Sequence, residues 1–224
     1  MSLHSCPIQV LSLFFFDDPA VDTMNPSESV FKQALQTHWD ALAPIIQAHY
    51  GLSPFTDQSL KFKGSMESVS HSMYAYLLIP FTTLVGALVP YRGNNVPVEV
   101  VNQTHRGKAG LYWQRTFFFE RRKPFIFRSV MHCTGPQEIT EFVRFGFGIR
   151  FKLRQKDGGL IHHDNGYVWK GGQRSIPVPL NLLIGKAYIE EMPVSDTEFS
   201  MKMEIAHPVF GQTFQYNGRF SIIR

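Results

Sequence analysis

From Val143 to Leu153 apolar and polar side chains alternate: Val143, Phe145, Phe147, Ile149, Phe151 and Leu153 are interleaved with Arg144, Gly146, Gly148, Arg150, Lys152 and Arg154. Period-two patterning of this kind fits a strand with one core face and one basic, solvated face, and fits no helix. Gly146 and Gly148 fall on the polar face, where a missing side chain lets a strand bend, as a curved sheet or barrel requires. The alternation returns in Phe199, Met201, Met203 and Ile205 and again in Phe214, Tyr216, Phe220 and Ile222. These form a closing hairpin that turns between Pro208 and Gly211, since Pro208 cannot donate to a ladder and Gly211 accepts a positive φ. Asp157-Gly158-Gly159 turns the basic strand into a partner running from Leu160 to Trp169. The expected fold is α+β: a strongly curved antiparallel β-sheet or barrel with N-terminal helices and a helical lid segment.

The helices are read from capping and from three-and-four spacing. Asn25-Pro26-Ser27-Glu28 has the form of a helix start, with Asn25 as cap, Pro26 in the first turn and Glu28 at the capping-box position. Val30, Phe31, Ala34, Leu35, His38 and Leu42 then share one face, which should be core. Pro44 begins a second short helix through Ile45, Ile46 and His49, ended by Gly51. The helical part thus occupies residues 25–51. The stretch Met73 to Val89 carries no charge. A span needs roughly 20 apolar residues, and Pro80, Thr82, Thr83 and Gly86 interrupt this one, so a buried or lid helix broken at Pro80 is expected instead. No repeat, low-complexity tract or linker marks a boundary, and the 224 residues read as one domain.

Charge and cysteine content exclude classes rather than select one. With 22 Lys plus Arg against 18 Asp plus Glu, the net charge of +4 is that of an ordinary basic surface, and no nucleic acid is expected as a partner. Two cysteines, Cys6 and Cys133, make no disulfide framework, so a cytoplasmic location is expected. Val10 to Phe16 is apolar, but no basic residue precedes it and Asp17-Asp18 follows, which does not suit a signal peptide.

Arg115 is the most informative candidate. If Leu111, Trp113, Phe117 and Phe119 face inward, alternation places Arg115 inward with them, and a buried guanidinium needs a partner. That partner is either a carboxylate such as Glu141, or the carboxylate or phosphate of a ligand. Trp113, Glu141, His163 and Tyr216 complete the candidate ligand-binding set. His162-His163-Asp164 places His162 and Asp164 on one side and His163 on the other. Two ligands do not make a zinc site, a third from His132 or His207 has no support, and no metal is expected. Ser129 lies on an inward face without a nucleophile motif around it, and the sequential Glu190-Glu191 face apart on a strand. Arg121-Arg122-Lys123 forms a basic tip after Phe117 to Phe119, either as solvated edge charge or as an anionic-surface contact.

The spaced motifs Trp39-Asp40-Ala41-Leu42, Phe62-Lys63-Gly64, Val96-Pro97-Val98, Trp113-Gln114-Arg115, Phe127-Arg128-Ser129 and Ile176-Pro177-Val178-Pro179-Leu180 carry a family resemblance. With Pro208-Val209-Phe210-Gly211 and Tyr216-Asn217-Gly218, the chain from Phe31 to Ile222 resembles the bacterial domain of unknown function four-one-six-six. The resemblance brings no established activity. It implies a domain found behind dinucleotide-binding modules of the saccharopine-dehydrogenase type, hence a possible redox-enzyme partner. Gly146-Phe147-Gly148 lacks the third glycine and the strand-to-helix setting of a dinucleotide site, so no cofactor is expected here. Three functions stay open: binding of a small apolar or acidic, lipid-like molecule inside the curved sheet; an enzyme or enzyme-accessory role with Arg115, Glu141 or His163; and a protein-interaction or peripheral membrane domain.

Overall fold

The computed structural model describes residue 25 and residues 27–172 and 174–223. Asn25 is therefore described, whereas Pro26, Cys6 and the apolar stretch Val10 to Phe16 lie outside the described residues. The strands are β1 (Ser59–His71), β2 (Gly93–Gln103), β3 (Leu111–Phe117), β4 (Phe125–Gly135), β5 (Glu138–Phe142), β6 (Phe147–Lys156), β7 (Gly159–Gly171), β8 (Arg174–Val178), β9 (Lys186–Pro193), β10 (Glu198–His207) and β11 (Gly211–Ile223). The helices are α1 (Val30–Leu35), α2 (Pro44–Tyr50) and α3 (Met73–Val85).

Each strand pairs antiparallel with its neighbours in the order β6-β5-β4-β3-β2-β1-β11-β10-β9-β7, and β6 pairs back onto β7. The sheet thus closes into a ten-stranded antiparallel barrel among the described residues, with β8 on the stretch of the β7 edge that β9 leaves free. Roughly eight strands enclose just enough space for packed side chains or one small ligand. Ten leave a wider lumen to be filled.

Two ends follow from the register. At the lower end the chain turns between β4 and β5, at Asp157-Gly158 and between β9 and β10, and α1 and α2 close it. Ala34 accepts from the Gln137 N–H at 2.8 Å and Gly158 accepts from the Ala43 N–H at 2.8 Å, which ties both helices to those turns. At the upper end lie α3 and the loops 118–124, 143–146, 179–185 and 208–210.

Four local expectations are corrected. Ser29, not Asn25, caps α1: its Oγ accepts from the Lys32 N–H at 3.2 Å, while Asn25 Oδ1 folds onto the Ser27 N–H at 3.1 Å. The helix then departs from α geometry at Gln36 (φ 53°) into a 3-10 segment, Gln36–Ala41. The tighter winding rotates the face, so His38 is exposed and the larger apolar Trp39 takes the buried place.

The long alternating segment enters the sheet only at Phe147. Phe145 (φ 59°) and Gly146 (φ 77°) form a turn instead, and a side chain at Gly146 would collide with the Lys170 carbonyl. That close approach exposes Phe145 and explains the glycine. Nor does Pro80 break α3. Ser72 Oγ caps it by accepting from the Ala75 N–H at 3.2 Å, and Gly86 (φ 70°) ends it, with Leu88 and Val89 buried beyond. The helix lies on the surface, where water reaches the carbonyl that a proline leaves without a donor.

Candidate functional site

The inward face of β3 alternates as its sequence requires: Leu111, Trp113, Arg115 and Phe117 are all buried. Arg115 Nη2 donates at 2.9 Å to Glu141 Oε1 on β5, two strands along the barrel wall. Its guanidinium lies 4.4 Å from the Trp113 ring centre and 4.9 Å from that of Phe127, so two aromatic faces also stabilise the cation. Arg115 Nε is buried and has no hydrogen-bond partner.

Beneath this pair α2 pushes His49 and Tyr50 into the lower lumen. Tyr50 donates to Glu191 Oε2 on β9 at 2.6 Å and lies 3.5 Å from His162 Nε2 on β7. Asn102 Nδ2 on β2 donates to the His49 carbonyl at 2.7 Å, which anchors the end of α2. Burial, with the Arg115 charge second, lowers both His49 and His162 to about 3, so both rings are neutral. The 3.9 Å approach of His49 to Glu191 is therefore a contact rather than an ion pair. Burial raises the Glu191 carboxyl to about 7 even though Tyr50 and Arg115 pull it down, and raises Tyr216 to about 12. Burial works against the Arg115 charge, but Glu141, Tyr216 and Tyr50 more than offset it and raise its pKa.

Above the pair the lumen is hollow. A cavity of about 90 Å³ has Arg115, Glu141 and Tyr216 as its floor, Phe117, Phe147 and Phe214 in its wall, and Phe81 and Val85 of α3 in its roof. Two voids of about 10 Å³ each lie lower, both bounded by Arg115, Trp113 and Glu191. Such a volume is about that of one water. Trp113 Nε1, Glu191 Oε1 and His162 Nδ1 are buried without partners around them.

Among the sequence-derived candidates, Arg115, Trp113, Glu141 and Tyr216 converge in the lumen. His163 does not. It is exposed on the outer face against Tyr188, with ring centres 5.4 Å apart, because the neighbouring His162 takes the inward position. Asp164 accepts from the Gly166 and Ala187 N–H groups at 2.7 and 3.0 Å and so holds backbone. His207 accepts from the Val209 N–H in the 208–210 turn. Among the described residues no group of three or more His, Cys, Asp or Glu could hold a metal ion. Tyr50, Glu191, His49 and His162 are absent from the sequence-derived set. Glu191 carries the same signal as Arg115, since Ala187, Ile189 and Glu191 alternate inward along β9.

A family model described as Domain of unknown function (DUF4166) matches residues 42–220. The uncharacterized protein YndH of Bacillus subtilis (strain 168) is 24% identical over 204 residues, covering 86% of this chain and 96% of that protein. The crystal structure of Rv2717c from M. tuberculosis is similar at a TM-score of 0.40 and 14% identity, covering 82% of this chain and 99% of that one. The matched segment runs from the start of α2 into β11 and includes every lumen residue named above, so this chain belongs to the DUF4166 family.

Proposed function

We propose that the barrel binds a small, slender and largely apolar molecule through one acceptor oxygen directed at Arg115. The observation that carries this reading is an otherwise apolar cavity with one cationic side chain, Arg115, on its floor. A carbonyl or carboxyl oxygen placed against the guanidinium would make a charge-assisted hydrogen bond, stronger than one between neutral groups. Glu141 already neutralises the guanidinium, and Glu191 lies below it. A second full negative charge would meet the Glu141 carboxylate with no cation left to balance it, so a neutral acceptor such as a protonated acid or an ester suits the floor better than a carboxylate. An engineered cavity of roughly 150 Å³ holds benzene. About 90 Å³ therefore suits a narrow chain. The acid-base groups Glu191, Tyr50 and His162 sit beneath the ion pair and outside the cavity wall, which favours binding over catalysis.

Native mass spectrometry of freshly purified protein, and melting with matched alkanes, methyl esters and acids, test the reading. Esters and acids are expected to raise the melting temperature and alkanes to leave it unchanged. Ala187→Leu, which fills the cavity wall, is expected to abolish the response. No adduct and no shift with any of the series would refute it.

A further inference from the structure

The two ends of the barrel differ in what they expose. At the upper end large apolar side chains project from five separate segments: Leu77 and Leu84 of α3 (76% and 62% exposed), Phe118, Phe145, Leu182 and Val209. At the lower end the exposed large apolar side chains among the described residues are Val194 and Ile223. The upper segments are knit together, since Tyr74 of α3 stacks on Phe210 at 3.9 Å between ring centres and donates to the Leu183 carbonyl at 2.6 Å. The upper loops are also the more one-sided in charge. The upper loops carry Arg92, Arg121, Arg122, Lys123 and Arg144 against Glu120, and no Asp or Glu occurs between Glu67 and Glu99. The lower end carries Asp40, Asp57, Asp157 and Asp196 beside Arg106, Lys108 and Lys156, so its charges are mixed.

Apolar tips flanked by basic residues match the layering of an anionic bilayer, with acyl chains beneath phosphate headgroups. We infer that the upper end docks on an anionic phospholipid surface, with α3 lying in the interface. At 13 residues α3 is too short to span, and no helix among the described residues is long and apolar enough to cross a membrane. The excess of basic over acidic charge beside the apolar tips favours a phosphate-rich surface over a protein partner. The arrangement also sets the α3 roof of the cavity against the acyl layer. The inference rests on the exposed surface and stands whether or not the cavity binds a ligand.

Flotation of the full chain with vesicles of phosphatidylcholine alone, and of phosphatidylcholine mixed with phosphatidylglycerol, tests it. Binding is expected to the mixed vesicles, to weaken as salt rises, and to be weak on phosphatidylcholine alone. Arg121→Gln and Lys123→Gln should each weaken binding about five-fold. Leu77→Gln with Leu84→Gln should abolish it without lowering the melting temperature. The cavity-filled Ala187→Leu protein should float like the parent, which separates this inference from the ligand reading. Equal binding to both vesicle types, or undiminished binding by the Leu77→Gln/Leu84→Gln protein, would overturn it. So would a concentration-dependent dimer that the same pair of changes dissolves, with no vesicle binding.

Discussion

Below the Arg115–Glu141 pair the lumen is filled, and above it the lumen is only roofed. The lower closure is made by α1 and α2, whose Val30, Phe31, Ala34, Ile46 and Tyr50 are at most 1% exposed and pack among the lumen aromatics. The upper closure is α3, which buries Ala75, Thr82 and Val85 and leaves Met73, Leu77 and Leu84 in solvent. The contrast shows how one barrel can be both stable and permissive. Apolar burial concentrates at one end, and the element with little buried surface sits where a molecule must pass. The buried pair marks the boundary, because it forms the floor on which the cavity rests.

Four measurements would break or sharpen this contrast. Phe31→Ala opens the lower plug and should cost about 3–5 kcal/mol in urea unfolding. A loss below about 1 kcal/mol would mean that the lower end collapses as easily as the upper. Arg115→Met should also cost about 3–5 kcal/mol, since Glu141 is left buried and alone. Adding Glu141→Met should recover most of that loss, and a double variant as unstable as the single one would show that the boundary does not depend on mutual pairing.

Glu191→Gln gives a smaller, pH-dependent effect. With its carboxyl raised from 4.5 to about 7, the folded protein keeps a proton that the unfolded chain releases, so this group's contribution to stability falls as pH rises through that window. His49 and His162, lowered from 6.5 to about 3, act in the opposite direction and lose stability as pH falls. Removing the Glu191 contribution should steepen the rise of stability with pH, between 4.5 and 6.5, by about 1.4 kcal/mol per pH unit. Parallel curves for parent and variant would show that Glu191 is ionised in the folded state. Leu77→Gln on α3 should change stability by less than about 0.5 kcal/mol, and amide exchange should be faster along α3 than along α2. Strong protection of α3 would end the description of the upper end as a loose roof.

Much of the barrel is legible in sequence because period two survives wherever one strand face is buried. The inward placement of Arg115 follows from Leu111, Trp113 and Phe117 alone, and the hairpins at Asp157-Gly158 and Pro208 to Gly211 follow from turn chemistry. What alternation lacks is the third dimension. It places Glu190 and Glu191 on opposite faces without saying that Glu191 meets a tyrosine from a helix 141 positions earlier in the chain. It also continues through Val143 to Phe145, where contact with the Lys170 backbone overrides the strand pattern. His163 and His162 are equivalent by residue type, and only register against β9, where His162 opposes the inward Ile189, separates them.

The β1–β11 ladder, from Lys61↔Ile223 to His71↔Phe214, joins the first strand of the barrel to the last. Every other seam of the ring except β7–β9 joins strands adjacent in sequence. During synthesis the early strands can therefore form a meander, but β1 keeps an open edge until the final strand has left the ribosome. Closure at such long range is slow, because the loop entropy is lost before the contacts form. Until then β1 and β10 present unpaired strand edges, the kind of surface that recruits other chains. A copy cut short before β11 should accordingly be prone to aggregate during biosynthesis.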